Sequence, residues 1–281
     1  MVSNKIRSNA KINVALNILG KKSFLHRIES IIFFISLHDI ITIKEVKFKT
    51  HDISFVGKFS KNIGKDNTIS KLLEILDHKK LLKNKKFKIK INKKIPDKAG
   101  LGGGSMNAAT ILKYFIKKKI INTNKKEILE ICNLVGSDVM VGLNSTNTIL
   151  NSLNKAKSFK NCKKLYTLIV KPNFGCSTKF IYSNVRKFNK AKFSKPNRNM
   201  FNLDFLKQTN NHLESIAFSK YSKLKSIKFY LENLLKPEFV RMTGSGSALV
   251  AYFQSKVRCE NAKKKFNKRY KNYWCIISKT I

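Results

Sequence analysis

Residues Pro96–Ala109 read Pro-Asp-Lys-Ala-Gly-Leu-Gly-Gly-Gly-Ser-Met-Asn-Ala-Ala, and the segments on either side of them have different periodicities. Before it, residues 87–91 alternate between apolar side chains and lysine, which predicts a half-buried strand. After it, apolar residues recur at helical spacing over residues 108–116. The glycine-rich stretch is therefore predicted to join a strand to a helix.

Gly100, Gly102, Gly103 and Gly104 give this loop four glycines in five positions. Glycine loses the most backbone freedom on folding, but it leaves no side chain between an anion and the main chain. The N–H groups at a helix N-terminus then form a phosphate cradle, which the helix dipole favours. The spacing fits neither a Walker A loop nor a dinucleotide-binding fingerprint. A flexible turn remains the alternative.

The flanking segments carry periodic apolar patterns. Ile31–Ile35 and Ile40–Val46 predict two strands. A helix is predicted to begin at residues 66–68, and another near Asn124, where Glu127 suggests a capping box. The polar, lysine-rich residues 151–164 predict a domain boundary, which divides the chain into residues 1–155 and 156–281.

The composition is strongly basic, with 58 Lys and Arg against 16 Asp and Glu and a net charge of +42. Because the lysines are spread over the whole chain, a solvated lysine surface is favoured over a specific nucleic-acid site. The five cysteines show no Cys-x-x-Cys pair, so neither a zinc site nor a disulfide framework is predicted. The first ten residues lack an apolar core and the longest apolar run is too short for a bilayer, which predicts a cytoplasmic protein without a membrane span.

The glycine-rich stretch closely resembles the ATP loop of the GHMP kinases, and within that superfamily most resembles the 4-diphosphocytidyl-2-C-methyl-D-erythritol kinases. The resemblance implies an α+β GHMP kinase fold: an N-terminal domain like domain 2 of ribosomal protein S5 and a ferredoxin-like C-terminal domain. It implies binding of ATP with Mg²⁺, for which Ser105 is the candidate protein ligand. The implied ATP-binding residues are Asn67, Pro96, Asp97, Lys98, Ala99, Gly100, Leu101, Gly102, Gly103, Gly104, Ser105 and Met106. Met106 replaces the second serine of the family loop.

Two further motifs match the family's catalytic residues. Ala-Lys-Ile-Asn implies that Lys11 is catalytic and that Asn13 contacts the substrate, although a lone lysine is ordinarily solvated. Gly-Ser-Asp-Val implies that Asp138 faces the accepting hydroxyl, although such an Asp is commonly a turn or cap residue. By the same resemblance, Lys11 lies close to Asp138 and keeps it ionised. For Asn67, a helix N-cap and an adenine contact are both open.

The remaining motifs concern the molecule that accepts the phosphoryl group. His26 and Tyr182 resemble the family residues that read and stack on cytosine, and Thr178 resembles a polar substrate contact. Structural histidine and helix-packing tyrosine are the alternatives. Arg241–Ala248 resembles the third GHMP motif, in which Gly244 and Ser245 touch the substrate. A plain hairpin turn would also explain this stretch.

The resemblance implies ATP-dependent phosphorylation of the 2-hydroxyl of a small-molecule cytidyl diphosphate, 4-diphosphocytidyl-2-C-methyl-D-erythritol, by a monomer or homodimer. A homoserine or mevalonate kinase would share the loop and Asp138 but would not need His26 and Tyr182. A non-catalytic RNA-binding protein of S5-like fold would explain the charge but not the motifs.

Overall fold

A computed structural model of the chain describes residues 4–22, 25–61 and 63–281. The strands are β1 (Asn4–Lys22), β2 (Leu25–Val46), β3 (Asp52–Val56), β4 (Lys86–Asn92), β5 (Asn147–Leu150), β6 (Ala156–Phe159), β7 (Tyr166–Lys171), β8 (Phe239–Met242), β9 (Leu249–Phe253) and β10 (Trp274–Lys279). The helices are α1 (Thr68–His78), α2 (Gly103–Lys117), α3 (Lys125–Val135), α4 (Val139–Gly142), α5 (Thr178–Ser183), α6 (Leu203–Lys207), α7 (Glu214–Lys220), α8 (Ser222–Leu235) and α9 (Lys256–Arg269), with a 3₁₀ turn at Arg198–Phe201.

The chain forms two compact units that each collect separate segments. Unit 1 contains Met1–Ala10, Leu37–Asp97 and Gly102–Ser145, and unit 2 contains Lys11–Ser36, Lys98–Leu101 and Thr146–Ile281. The strands β1 and β2 contribute residues to both units, and so does the glycine-rich loop. The sequence-based division at residues 155 and 156 remains a prediction.

Unit 1 combines a sheet with helices that lie before and after the glycine loop in the chain. Residues 40–46 of β2 pair antiparallel with β4, which in turn pairs in parallel with β3. The predicted alternation of β4 is confirmed, because Phe87, Ile89 and Ile91 are buried while the lysines between them are exposed. These residues join the apolar faces of α1, α2 and α3 in one core. The apolar period of 3.6 residues therefore places α2 directly on the sheet.

Unit 2 contains an antiparallel sheet in the order β10, β7, β9 and β8. Helices α5–α8 connect β7 to β8, and α9 connects β9 to β10, which is the split βαββαβ pattern of ferredoxin-like domains. The helices α8 and α9 contribute Leu224, Leu231 and Phe266 to the core of this unit. The predicted α+β architecture is confirmed.

One local prediction was wrong: the two strands expected at Ile31–Ile35 and Ile40–Val46 are parts of a single strand, β2. The segment between them contains the polar residues Ser36, His38 and Asp39 but stays extended, and the buried Asp39 carboxylate accepts the backbone N–H groups of Lys94 and Ile95. The Asp39 carboxylate is therefore fully hydrogen-bonded although it lies within an extended strand. Over the described parts of the chain, no helix is long and apolar enough to cross a membrane.

Candidate active site

The first half of the glycine loop, Lys98–Leu101, belongs to unit 2. Gly100 has a φ of +72°, and a Cβ atom there would lie 1.9 Å from the carbonyl oxygen of Thr243, so only glycine fits. The Thr243 hydroxyl donates to the Gly100 carbonyl at 3.0 Å. The carbonyls of the two preceding residues accept from the N–H groups of Ser247 and Ala248 at 3.1 and 3.3 Å. The third motif is thus hydrogen-bonded to the start of the loop.

Lys11 and Asn13 join the same cluster in unit 2. The Lys11 ammonium donates to Asn13 Oδ1 at 2.7 Å, and the Lys11 N–H donates to the Leu101 carbonyl at 3.1 Å. Asn13 also donates through Nδ2 to Ser30 Oγ and through its N–H to Thr243 Oγ1. Since only 4% of Lys11 is exposed, the alternative of a solvated surface lysine is wrong. A lysine placed this deep is available for a specific electrostatic role.

The second half of the loop belongs to unit 1, where Gly102 adopts the left-handed conformation and begins α2 without a side-chain cap. The first N–H groups of a helix have no acceptor within that helix, and here Gly103 and Gly104 add no side chain that would cover them. These donors at the positive end of the helix dipole suit an anion such as phosphate. A phosphate cradle at this helix start remains a prediction.

Several predicted loop residues have buried side chains, namely Pro96, Ala99, Leu101 and Met106. Any nucleotide contact they make uses the main chain. Met106, which stands where the family has a serine, packs in unit 1 with its Sδ 3.1 Å from the position of a Cβ atom on Gly142. Among the polar side chains of the loop, Asp97 and Lys98 are exposed and Ser105 is partly exposed.

Asn67 lies at the N-terminus of α1, next to the glycine loop. Its side chain accepts the N–H groups of Ile69 and Ser70, and Ser70 completes a capping box. Thr68 Oγ1 lies 3.0 Å from the position of a Cβ atom on Gly104, so the N-terminus of α1 adjoins that of α2. The N-cap interpretation of Asn67 is confirmed, and the adenine contact remains a prediction. Similarly, Asn124 caps α3 by accepting the Glu127 N–H.

Asp138 lies at the start of the short helix α4. Its side chain is partly buried and makes no capping bond to α4, so it does not act as an ordinary N-cap. Nearby, Ser105 Oγ lies 3.9 Å from the position of a Cβ atom on Gly136, and Gly142 packs against α2. Unit 1 therefore brings the segment that carries Asp138 next to the helix that follows the glycine loop.

The predicted acceptor residues come together in unit 2. The rings of His26 on β2 and Tyr182 on α5 lie 5.3 Å apart, tilted by 48°. Thr178 Oγ1 and Ser245 Oγ are hydrogen-bonded at 2.8 Å. Burial, together with the charge of Lys21, lowers the pKa of His26. The imidazole is therefore neutral at pH 7, and a neutral ring can both donate and accept at a base edge.

Residues outside the predicted set support the third motif. Asn211 Nδ2 donates to the carbonyls of Met242 and Gly244 at 2.7 and 2.8 Å, and Glu214 accepts the Met242 N–H at 2.6 Å. Thr243 lies within the predicted motif, but its hydrogen bond to the loop was not predicted. Long-range partners of this kind leave no local period or spacing, so only an alignment or a structure reveals them.

Comparisons with known proteins show which proteins the chain is similar to. Residues 67–150 match the GHMP kinases N terminal domain. The chain is 56% identical, over the whole length of both proteins, to the 4-diphosphocytidyl-2-C-methyl-D-erythritol kinase of Pelagibacter ubique. A crystal structure of 4-(cytidine 5'-diphospho)-2C-methyl-D-erythritol kinase matches with a TM-score of 0.78 and 19% identity, covering 99% of this chain and all of that one. Homoserine kinase from Cytophaga hutchinsonii matches with a TM-score of 0.70 and 16% identity, covering 99% of this chain and 94% of that one.

The two crystal structures establish the fold, and the full-length relative at 56% identity establishes the family. The chain belongs to the 4-diphosphocytidyl-2-C-methyl-D-erythritol kinase family of GHMP kinases.

Proposed function

We propose that this protein transfers the γ-phosphoryl group of ATP to the 2-hydroxyl of 4-diphosphocytidyl-2-C-methyl-D-erythritol. The full-length similarity to the Pelagibacter ubique enzyme, which carries that kinase's name, is the observation on which the proposal rests. The glycine loop supports it, because phosphoryl transfer requires mainly placement and charge neutralisation rather than covalent work by the protein.

The β- and γ-phosphates are assigned to the N–H groups around Gly102–Ser105. Uncovered donors, a helix dipole and the absence of obstructing side chains fit a polyphosphate. Bound Mg²⁺ would neutralise charge on these phosphates. Within the described residues, no cluster of three His, Cys, Asp or Glu side chains could hold a metal ion by itself. The donor set therefore fits an ion held largely by phosphate oxygens, with the Ser105 hydroxyl as its protein ligand.

Asp138 is assigned to accept or orient the proton of the attacking hydroxyl. Its motif matches that of the family, and a carboxylate within reach of a hydroxyl can act as a general base. Lys11 is assigned to stabilise charge that develops during transfer. Its ammonium is held by Asn13 Oδ1, so it is oriented before the substrate binds.

The acceptor is assigned to the side chains that unit 2 brings together. Tyr182 would stack on cytosine and the neutral His26 would read the edge of the base. Thr178, Ser245, Gly244 and Asn13 would supply polar contacts to the rest of the molecule. The paired rings favour a cytidyl acceptor over homoserine or mevalonate, which carry no base to stack on.

The test is ADP release by the purified protein with ATP and Mg²⁺, in parallel reactions with the cytidyl substrate, homoserine and mevalonate. Turnover with the cytidyl substrate alone is the expected result. Turnover with homoserine or mevalonate instead would retain the kinase assignment and reject the acceptor. No turnover with any of them, together with salt-sensitive RNA binding, would favour the RNA-binding alternative. A cytoplasmic location and a monomer or homodimer remain predictions.

A further inference from the structure

The most heavily bonded carboxylate of unit 1 is that of Asp39, which is fully buried on β2. Its Oδ1 accepts the N–H groups of Lys94 and Ile95 at 2.7 and 2.9 Å. Its Oδ2 accepts Asn107 Nδ2 at 2.9 Å and also the Lys93 ammonium. Neither the pattern of β2 nor the family motifs assign a role to these residues.

These bonds connect the two segments that flank the glycine loop. Lys93–Ile95 follow β4 and lead into the loop, whereas Asn107 lies on α2 just after it. The Asn107 amide oxygen has no hydrogen-bond partner within the described chain, so its bond to Asp39 determines how this side chain is oriented. Asp39 therefore fixes the distance between the end of the strand and the beginning of the helix.

Lys93 also lies against the first residue of α2. Its Nζ is 3.2 Å from the position of a Cβ atom on Gly103, and Ile95 Cγ2 is 3.0 Å from the same point. A cation at a helix N-terminus opposes the helix dipole, so helix stability alone does not favour Lys93 here. With only 5% of Lys93 exposed, Asp39 compensates a charge that would otherwise be costly to bury. The positive charge of Lys93 therefore lies near the N–H groups at the start of α2, to which the phosphates are assigned.

We propose that Asp39 is a positioning residue that acts through Lys93 and Asn107 to hold the first N–H groups of α2 at the β- and γ-phosphates of ATP. This inference rests on the proposed function, because it concerns the same ATP loop. It predicts that Asp39 determines affinity for the phosphates and not for the adenine and ribose.

The experiment compares the binding of ATP and AMP by NMR titration, which also measures weak affinities. In Asp39→Asn the new amide faces the donors of Lys93 and Asn107, so the loop loses its anchor. We expect ATP affinity to fall by about tenfold or more, because the loop N–H groups assigned to the phosphates lose the hydrogen bonds that hold them in place, while AMP affinity changes by less than about twofold. A merely structural role would instead lower the thermal stability and leave the ATP-to-AMP ratio of the folded protein unchanged.

Asp77→Asn is the matched control. Asp77 forms a partly buried ion pair with Lys86 at 2.6 Å in the same unit, away from the loop residues named above. This variant is expected to lower thermal stability without changing the ATP-to-AMP ratio. If Asp39→Asn does not fold, Asn107→Ala removes a single donor to Asp39 and is expected to lower the ratio by about threefold.

The outcomes separate the two claims. A wild-type protein that binds ATP no better than AMP would overturn the ATP assignment, and with it the role of Asp39. A wild-type preference for ATP that Asp39→Asn, or Asn107→Ala in its place, fully retains would refute the role of Asp39 and leave the proposed function intact. Loss of the preference in that variant, with Asp77→Asn unchanged, would establish the role.

Discussion

Replacing Gly100 with alanine tests whether the loop and the third motif form one hydrogen-bonded structure in unit 2. The added Cβ atom would meet the Thr243 carbonyl oxygen at 1.9 Å, and contacts below 3.0 Å are essentially never seen for a real Cβ atom. Because the partner is backbone, a rotamer change cannot relieve the clash. The loop must move away from residues 243–248.

The cost follows from the φ angle and from the bonds across this contact. Alanine at φ +72° is strained by about 1–2 kcal/mol. Moving the loop breaks or weakens the bonds at 3.0, 3.1 and 3.3 Å that join residues 98–100 to Thr243, Ser247 and Ala248. Each such bond contributes about 1 kcal/mol net. We expect Gly100→Ala to lower the free energy of unfolding by about 3–5 kcal/mol.

Urea denaturation measures this change. The single tryptophan, Trp274, lies on β10 of unit 2, so its fluorescence reports on the unit that carries the clash. Gly20→Ala is the control, since a Cβ atom on Gly20 meets nothing within 4 Å. It should change stability by less than about 1 kcal/mol. If Gly100→Ala were as stable as Gly20→Ala, the inferred contact between the loop and the third motif would be wrong.

Three further predictions concern catalysis, specificity and pH. Asp138→Asn should lower kcat by about 10²–10⁴-fold while ATP affinity, measured by titration, stays within about threefold, and wild-type turnover would remove Asp138 from the mechanism. Tyr182→Ala should raise KM for the cytidyl substrate by about 5- to 150-fold, the equivalent of about 1–3 kcal/mol of lost stacking, whereas Tyr182→Phe should not, and an unchanged KM in Tyr182→Ala would contradict stacking. Burial lowers the pKa of His26, His51 and His212, so the unfolded chain binds more protons below about pH 6.5 and the melting temperature should fall from pH 7.5 to 5.5. His212→Gln should weaken the dependence of the melting temperature on pH. An equal slope in the wild type and the variant would contradict the role given to His212.

Much of unit 1 could be predicted from local patterns. The alternation in residues 87–91 and the helical spacing after Met106 depend on burying one face, and the core of unit 1 contains those faces. The caps at Asn67 and Asn124 were predictable because a cap is an interaction within four residues. The single strand β2 was not, because the groups that satisfy Asp39, the backbone N–H groups of Lys94 and Ile95, lie more than fifty residues away.

The candidate site also has a part that could be predicted from the sequence and a part that could not. The motifs around Lys11, Gly100, Asp138 and Gly244 could be found because the family keeps these residues together in short segments. Their environments could not, since the burial of Lys11 and the missing cap bond of Asp138 depend on how distant segments pack. A net charge of +42 likewise describes the whole chain and does not show which lysine is buried.

Local periodicity indicated the strand and the helix on either side of the glycine loop, and the contiguous motifs indicated the family and, through that resemblance, the α+β architecture. The contact of Gly100 with Thr243 and the bonds of Asp39 to Lys93 and Asn107 depend on tertiary packing. These contacts join residues separated by 54 to 143 positions. Because a hydrogen bond depends on distance in space and leaves no trace in local composition, the folded chain alone specifies it.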